Sequence, residues 1–497
     1  MRLEREAKLS ADPAFQLPDL AVAGGPLRVS PGEVERFVSI YHDTEDLRLA
    51  RWGASLRYRA SEGWTVKLPV STDGPVTVRE EHAFQGGPAR APADAIDLVR
   101  ALVRGAAVGP VARLRTVRRR TRVVRGVDER TVAEITDDEV SVLEGRRTVQ
   151  RFREVEAELS EDAETSVMES LLDALVAGGA RMRDPLPKVV RALGDRATAP
   201  PDVVVPEVGS SSTVEEVVRR TLAVSTVRLL THDAVVRVGI DPEGVHQTRV
   251  ATRRLRSDLR TFRPLLDRGW HDTVRAELGW LGGELGSVRD LDVLGERLRR
   301  HALLLPDDDA TNVATVLDRL RVRREAARLE LLSAMRTARY VALLDALVDA
   351  AAAPRVVPEM VGSGAADAMG AVMKGPWKHL QRWCDSLGPQ STDAELHEAR
   401  IRAKRVRYAA EALVPVFGKP ARRFARRAEA LQQVLGSHQD AVMTIAWLRD
   451  QAGGATPRVA FTAGRLAGIE AAAREETRRA WPAAWDDLRR PRLRFWT

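Results

Sequence analysis

The sequence predicts a two-domain chain of the α+β class, a charge-lined antiparallel β domain followed by an all-α domain built from a duplicated unit. Three observations predict it. Up to about residue 195, apolar and charged residues alternate in short runs bounded by Gly, Pro and Asp. From about residue 213 onward the apolar spacing is helical and strand signals disappear. A strongly basic motif near residue 246 then returns near residue 397, which marks an internal repeat.

The β domain, residues 1–195, is expected to hold strands at 3–9, 54–59, 64–68, 76–84, 113–124, 131–135, 139–143 and 152–159. Their alternation puts charge where a solvent face would ordinarily be. Glu4, Glu6 and Lys8 oppose Leu3, Ala7 and Leu9, Arg57 and Arg59 oppose Leu56 and Tyr58, and Glu154, Glu156 and Glu158 oppose Val155, Ala157 and Leu159. An ordinary sheet with its polar face in water accounts for any one strand alone. The first and last strands are acidic and the middle strands basic, however, so a closed barrel gathers both signs around one polar lumen. Carboxylates two apart on a strand share a face and suit Mg²⁺ or Mn²⁺, and arginine and lysine suit the phosphates such a cation bridges. The register of 113–124 is open by one residue, and a one-residue slip inverts every side chain.

Glu4-Arg-Glu-Ala-Lys8 resembles the Glu-x-Glu-x-Lys signature of the CYTH family of triphosphate tunnel metalloenzymes. Further segments resemble the family in its order: Tyr41 to Arg51, Leu56-Arg-Tyr-Arg59, Trp64-Thr-Val-Lys67, Arg79-Glu-Glu81, Val132 to Asp138 and Phe152 to Leu159. The resemblance covers roughly the first 160 residues and departs at Ala83, where an alternating Glu is common. It implies an eight-stranded antiparallel tunnel that hydrolyses a triphosphate with a divalent cation. Carried over, Glu4, Glu6, Glu154 and Glu156 form the metal side, with Glu134 and Glu158 as further metal or water-orienting carboxylates. Lys8, Arg57, Arg59, Lys67 and Arg79 form the phosphate side, and Glu4, Glu6 and these five are the expected catalytic set. Lys188 resembles a further phosphate-contacting lysine, with a solvated lysine as the alternative.

Residues 161–195 return to helical spacing, with Met168, Leu171, Leu172 and Leu175 on one face, and 196–212 is a Pro-, Gly- and Ser-rich linker. The α domain, 213–497, divides into repeats at about 213–350 and 360–497. On a helix, His246, Arg249, Arg253, Arg256 and Arg260 form one cationic stripe opposite Ala251, Leu255, Leu259 and Phe262. His397, Arg400, Lys404 and Arg407 repeat it opposite Ala399, Val406, Ala410 and Leu413. Like charges one turn apart repel, so the arrangement calls for a polyanion, and a stripe about 20 Å long exceeds one phosphate. Leu285-Gly-Ser-Val-Arg-Asp290 is echoed by Leu435-Gly-Ser-His-Gln-Asp440, read as two turns whose aspartates hold a stripe arginine or cap a helix. These residues, with Arg254 and Arg405, resemble the CHAD domain, a duplicated helical family that binds inorganic polyphosphate. The resemblance implies polyphosphate contacts from His246, Arg249, Arg253, Arg254, Arg256, Arg260, His397, Arg400, Lys404, Arg405 and Arg407.

Composition bounds the partners. The 497 residues carry a formal charge of +8 at a pI near 10.0, which favours anionic ligands. Aromatics are only 5%, so single-stranded nucleic acid ranks second. Cys384 is the lone cysteine, which excludes an internal disulfide and fits a reducing cytoplasm. The chain is charged from its second residue and lacks an apolar run of about eighteen residues, so neither an export signal nor a membrane anchor is expected. The expected function is a Mg²⁺- or Mn²⁺-dependent hydrolase of triphosphate or polyphosphate, recruited or localised by the helical domain, with inorganic polyphosphate and triphosphate as partners and the cytoplasm, in association with polyphosphate granules, as the expected location. The alternatives are a non-catalytic polyphosphate-binding protein, an adenylate cyclase and a nucleic-acid binder.

Overall fold

The computed structural model describes residues 2–18, 20, 27–73, 76–125, 130–182 and 186–496, and the chain divides into two units, Met1–Asp202 and Val203–Thr497. Residues 183–185 of the segment expected to be helical, and Met1, lie outside the described residues.

In the first unit, β1 (Arg2–Ala11), β2 (Leu27–Asp43), β3 (Ser55–Arg59), β4 (Gly63–Asp73), β5 (Val76–Phe84), β6 (Gly109–Arg125), β7 (Arg130–Glu144) and β8 (Arg147–Leu159) run antiparallel in the order β5-β4-β3-β2-β6-β7-β8-β1. β1 pairs back onto β5 and closes an eight-stranded barrel, while the short β9 (Arg181–Met182) extends the edge of β1. Two strand expectations need correction. The long β2 was not expected, because Pro31-Gly32 reads as a breaker; the strand accommodates it with a bulge between Pro31 and Val34. The runs 131–135 and 139–143 form the single strand β7. Thr136-Asp137-Asp138 reads as a turn, but Arg153 donates two hydrogen bonds to Asp137 outside while Arg118 donates two to Asp138 inside. The open register of β6 resolves with Leu114, Thr116, Arg118 and Arg120 facing inward.

Short helices α1 (Arg48–Arg51), α2 (Ala93–Leu98) and α3 (Arg100–Val103) lie in the connections between strands. α4 (Thr165–Ala177) lays Val167, Met168, Leu171, Leu172 and Leu175 on the outward apolar residues Ala7, Leu9, Ile135, Val155 and Ala157. Each such side chain buried contributes about 1.5–3 kcal/mol, so the apolar face is committed to the outside and the charged face must line the inside. α5 (Lys188–Leu193), followed by α6 (Asp195–Thr198), packs Val189 and Val190 against the lumen-facing Tyr41, Leu114, Val140 and Val142. That contact stops one end of the barrel.

The second unit is helical: α7 (Val214–Val238), α8 (Glu243–Phe262), α9 (Arg268–Ala302), α10 (Ala310–Met335), α11 (Ala338–Ala352), α12 (Ala365–Asp385), α13 (Asp393–Ala412), α14 (Val414–Phe417), α15 (Lys419–Ala452) and α16 (Pro457–Leu488). Successive packing of α7, α8, α9 and α10 is repeated by α12, α13, α15 and α16, and α8 packs on α13 across the two halves. Capping boxes start α7 at Thr213 with Glu216, and α13 at Thr392 with Glu395. The faces expected to be apolar are buried: Leu255, Leu259, Val406 and Leu413 are all within 1% of fully enclosed. Among the described residues, no helix is long and apolar enough to cross a membrane.

Candidate functional site

Alternation of the barrel strands drives the charged side chains inward, where they line a cavity of about 410 Å³. Of the expected residues, Glu4, Glu6, Lys8, Arg57, Arg59, Lys67, Arg79, Glu134, Glu156 and Glu158 all line it. The ladder register sets three carboxylates in one row, with Glu6 opposite Glu158 and Glu158 opposite Glu134 across β1, β8 and β7. Facing cations hold these acids. Lys67 Nζ lies 2.6 Å from Glu4 and 2.8 Å from Glu81, Lys8 contacts Glu6 at 3.2 Å and pairs with Glu156, and Arg120 Nη1 donates to Glu134 at 2.8 Å. Phe37 forms the floor for two guanidinia, Arg59 at 3.7 Å and Arg118 at 5.6 Å from the ring centroid.

Among the described residues, no three acidic or histidine side chains converge as a cation cage. Within the row, Glu6 meets Lys8 and Arg79 while Glu134 meets Arg120. Their chemistry nevertheless fits a divalent cation, since carboxylate oxygens are the ligands Mg²⁺ and Mn²⁺ prefer. Two observations support the fit. Glu6 Oε1 is buried without a hydrogen-bond donor, its contacts with Lys8 and with Arg79 at 3.3 Å being ion pairs alone. Glu4 has its carboxyl pushed up to about 7, first by burial and then by a hydrogen bond shared with Glu81, against the pull of Lys67. The acidic side therefore keeps one carboxylate oxygen without a hydrogen-bond donor and one carboxyl that burial favours in its protonated form, both of which a divalent cation would satisfy.

Glu154 departs from its expected place. It lines a second cavity at the α5 end with Lys8, Phe152 and Arg191, where Lys188 Nζ (3.0 Å) and Arg191 Nη1 (2.7 Å) hold its nearly enclosed carboxylate. A shared strand face is not a shared site, because α5 divides the lumen across that face. Lys188 is not a solvated lysine. It starts α5 and reaches Asp138 at 3.0 Å and Glu156 at 2.8 Å besides Glu154, and these carboxylates hold its ammonium well above its usual pKa despite burial. Asp138, Arg118, Arg120, Glu62 and Glu81 also line the lumen although none was expected as a site residue. The basic alternation of β6 carried the signal for Arg118 and Arg120; the inward strand position of Asp138 was hidden by its turn-like neighbours. Lys188→Ala is expected to cost about 3 kcal/mol in chemical denaturation, the low end for a broken buried ion pair because Arg118, Arg191 and Lys8 still hold the three carboxylates. An unchanged midpoint would contradict Lys188 as the clamp.

In the second unit, residues related by the repeat meet each other between α8 and α13. Arg249 faces Arg400, and Lys404 faces Arg253, Arg400 and Arg249, with Asp290 the nearby acid. Burial and then these three guanidinia push the Lys404 ammonium down to about 7. The ion pair of Arg254 with Glu411 has as its repeat counterpart Arg405 with Arg260, so a guanidinium stands where symmetry would place a carboxylate. Burial, then Arg405, Arg275 and Arg256, hold Arg260 down to about 10. The buried Nε–H groups of Arg253, Arg256, Arg275, Arg400 and Arg405, and Nη1 of Arg249, have no hydrogen-bond acceptor. His246 stands half-buried beside Arg289, and Nδ1 of His397 is buried without a partner.

Three expectations change here. Arg254 is turned to Glu411 and, at 3.3 Å, to the fully buried Asp258, and Arg407 is held at 2.7 Å by both Glu411 and Glu429, so neither belongs to the uncompensated stripe. Glu411 and Asp258 stand one turn further along the same helices, while Glu429 on α15, and for Arg254 Glu411 on α13, reach across from a neighbouring helix that a one-helix projection does not display. The Leu-Gly-Ser-x-x-Asp segments are not turns but lie inside α9 and α15. Their glycines admit the guanidinia: a Cβ on Gly286 would stand 2.8 Å from Arg249 Nη1, and one on Gly436 3.5 Å from Arg400 Nε. Asp290 holds Arg249 at 3.0 Å, whereas burial pushes the Asp440 carboxyl up despite the charge of Arg400.

Comparison with known proteins gives two domain matches, the CYTH domain over residues 2–175 and the CHAD domain over residues 221–449. Uncharacterized proteins from two Mycobacterium tuberculosis strains, CDC 1551 and H37Rv, are each 30% identical over 475 residues, 90% of this chain and 89% of theirs. Among solved structures, PptA from Streptomyces chartreusis is 25% identical with a TM-score of 0.47, over 55% of this chain and 100% of its own. The CHAD domain from the plant Ricinus communis is 25% identical with a TM-score of 0.47, over 58% of this chain and 96% of its own.

Proposed function

Because this chain belongs to the proteins that join a CYTH domain to a CHAD domain, a group whose CYTH members include triphosphatases and related metal-dependent enzymes, we propose that it hydrolyses inorganic triphosphate or polyphosphate ends in the barrel and binds the polymer on the bundle. The observation that carries this reading is the two-signed lumen, carboxylates of β1, β7 and β8 set against lysines and arginines of β3 to β6 and α5.

Glu4, Glu6, Glu134 and Glu158 would hold Mg²⁺ or Mn²⁺, which when bound offsets phosphoryl charge and activates water. The remaining roles belong to the chain itself. Arg57, Arg59, Arg118 and Lys67 orient a phosphate chain through charge-assisted hydrogen bonds, and the Phe37 ring backs Arg59 and Arg118. Lys188 and Lys8 lie nearer the stopped end and receive its negative charge there. The stop at α5 limits water access from that side.

The test is phosphate release from orthophosphate-free triphosphate, pyrophosphate, long polyphosphate and ATP during a Mg²⁺ and Mn²⁺ titration. Release from triphosphate and polyphosphate supports hydrolysis. Binding without release from any of them would favour the second reading, a granule-associated polyphosphate-binding protein, for which the uncompensated guanidinia of α8 and α13 suffice. Cyclisation of ATP would favour an adenylate cyclase, and nucleic acid ranks behind all of these because aromatics are scarce. A pH dependence follows from Glu4. Its raised pKa makes it a neutral acid below about 7, unable to serve as an anionic ligand. Activity at low cation concentration should rise about tenfold per pH unit up to that midpoint and then level, and the rise should move to lower pH as cation is added. A profile independent of pH between 5.5 and 8 would remove Glu4 from the cation site.

A further inference from the structure

The turn from β3 to β4 sits at the barrel end away from α5, and its last residue, Glu62, points back into the lumen. Glu62 Oε2 accepts from Arg57 Nη2 at 2.9 Å, and Oε1 pairs with Arg59. Exposure within this trio is uneven. The Arg57 and Arg59 side chains are 13% and 5% exposed, whereas Glu62 is 38% exposed. An ordinary surface pair brings two solvated, flexible side chains together; here the cations are set in the wall and the anion comes from a turn. Arg59 is fixed over Phe37 at 3.7 Å, and Arg57 and Arg118 crowd it with like charge. Arg57 Nε is buried without a hydrogen-bond acceptor, so the carboxylate leaves part of this donor set unused. A phosphoryl group offers more acceptor oxygens and more charge than a carboxylate, and the same guanidinium forks bind either.

We propose that Glu62 is a tethered internal anion that competes with phosphoryl groups for Arg57 and Arg59. The proposal rests on the reading that phosphate chains enter the lumen, and adds to it a residue that sets the working affinity. A tethered carboxylate acts at a high effective concentration, so any ligand of the arginine pair must displace it and binds more weakly by a common factor. A chain that also reaches Lys67, Arg118 and Lys188 retains useful affinity after that loss. A single orthophosphate, with fewer contacts, does not. Glu62 thereby limits inhibition by released orthophosphate and favours chains long enough to span several cations.

The full chain, carrying Arg249→Ala, Arg253→Ala, Arg400→Ala and Lys404→Ala so that the helical unit does not contribute, and without divalent cations so that no turnover intervenes, is titrated with tripolyphosphate and with orthophosphate by calorimetry. Glu62→Gln should tighten both by about tenfold, the scale of one charge-assisted pair, and orthophosphate should become a correspondingly stronger inhibitor when Mg²⁺ is restored. Glu62→Asp, which keeps the charge on a shorter arm, should fall between the two. A residue that merely supports the turn would change affinity in the opposite direction. Unchanged or weaker binding by Glu62→Gln, in a protein where the double replacement Arg57→Ala and Arg59→Ala abolishes binding, overturns the proposal while leaving the lumen reading intact. Tripolyphosphate binding undiminished by the double arginine replacement, in that same background, overturns the lumen reading itself. Should Glu62→Gln fail to fold, Glu62→Ala reports on the same competition.

Discussion

Glu6→Gln is expected to lower the proposed cation-dependent phosphate release from tripolyphosphate by about 10²–10³-fold, the scale of losing one preorganised electrostatic group, and Glu4→Gln to do the same. The replacement keeps the shape of each side chain and removes its charge. At Glu6 the charge lost is the one whose Oε1 is buried without a donor, in the row shared with Glu158 and Glu134. At Glu4 it is one partner of a carboxyl pair that shares Lys67 with Glu81. Any polyphosphate affinity of the second unit should stay unchanged, because its cations lie on α8, α9 and α13, in a separately packed core. The assay pairs phosphate release with a polyphosphate titration on the same preparations. Retained turnover in the doubly substituted protein would sink the metal assignment, and joint loss of turnover and polymer binding would indicate global damage.

How much of this was legible in the sequence depended on the range of the interaction. Period two placed Glu4, Glu6 and Lys8 on one face because neighbours on a strand determine it, and the helical projection placed Arg249 and Arg253 on one stripe for the same reason. Glu154 was legible as an inward residue but not as one shut behind α5, since the closure comes from Val189 and Val190 packing on three distant strands. Lys188 was marked only by the family resemblance, with a solvated lysine as the alternative, because nothing near it in the chain shows what it meets. Its partners, Asp138, Glu154 and Glu156, are assembled by the barrel. Arg407 appeared part of the stripe because Glu429 approaches from α15, a helix the projection omits. Local breakers misled in β2 and β7, where a bulge and a pair of arginines override what Pro31-Gly32 and Asp137-Asp138 favour.

Removing Arg249 and Arg253 together is expected to weaken the proposed binding of long-chain polyphosphate by about 10²-fold or more, taking about 1.5 kcal/mol for each charge-assisted contact, and removing Arg400 and Lys404 to have a matching effect. The match follows from the repeat, since Arg249 and Arg400 are counterparts, as are Arg253 and Lys404, and the four face one another between α8 and α13. A polymer laid over this quartet would contact both halves at once, so either loss should cost it more than it costs triphosphate. The slope of log affinity against log salt should fall by about 0.7 for each phosphate contact removed, as for a single-stranded polyanion. Folding should persist, because the stripes are mutually repulsive while Leu255, Leu259, Val406 and Leu413 hold the opposite faces. Lys404 adds a proton to the account. Its pKa of about 7 reflects burial among guanidinia, so the free protein leaves it largely neutral above that pH, and a polyanion that restores its charge must draw a proton from solvent. Affinity should therefore decline as pH rises from 7 to 9, and calorimetry in buffers of different ionisation enthalpy should register proton uptake that Lys404→Met abolishes. Binding indifferent to the loss of either pair, measured with circular dichroism unchanged, would mean that the halves do not act together and that the duplication serves the fold alone.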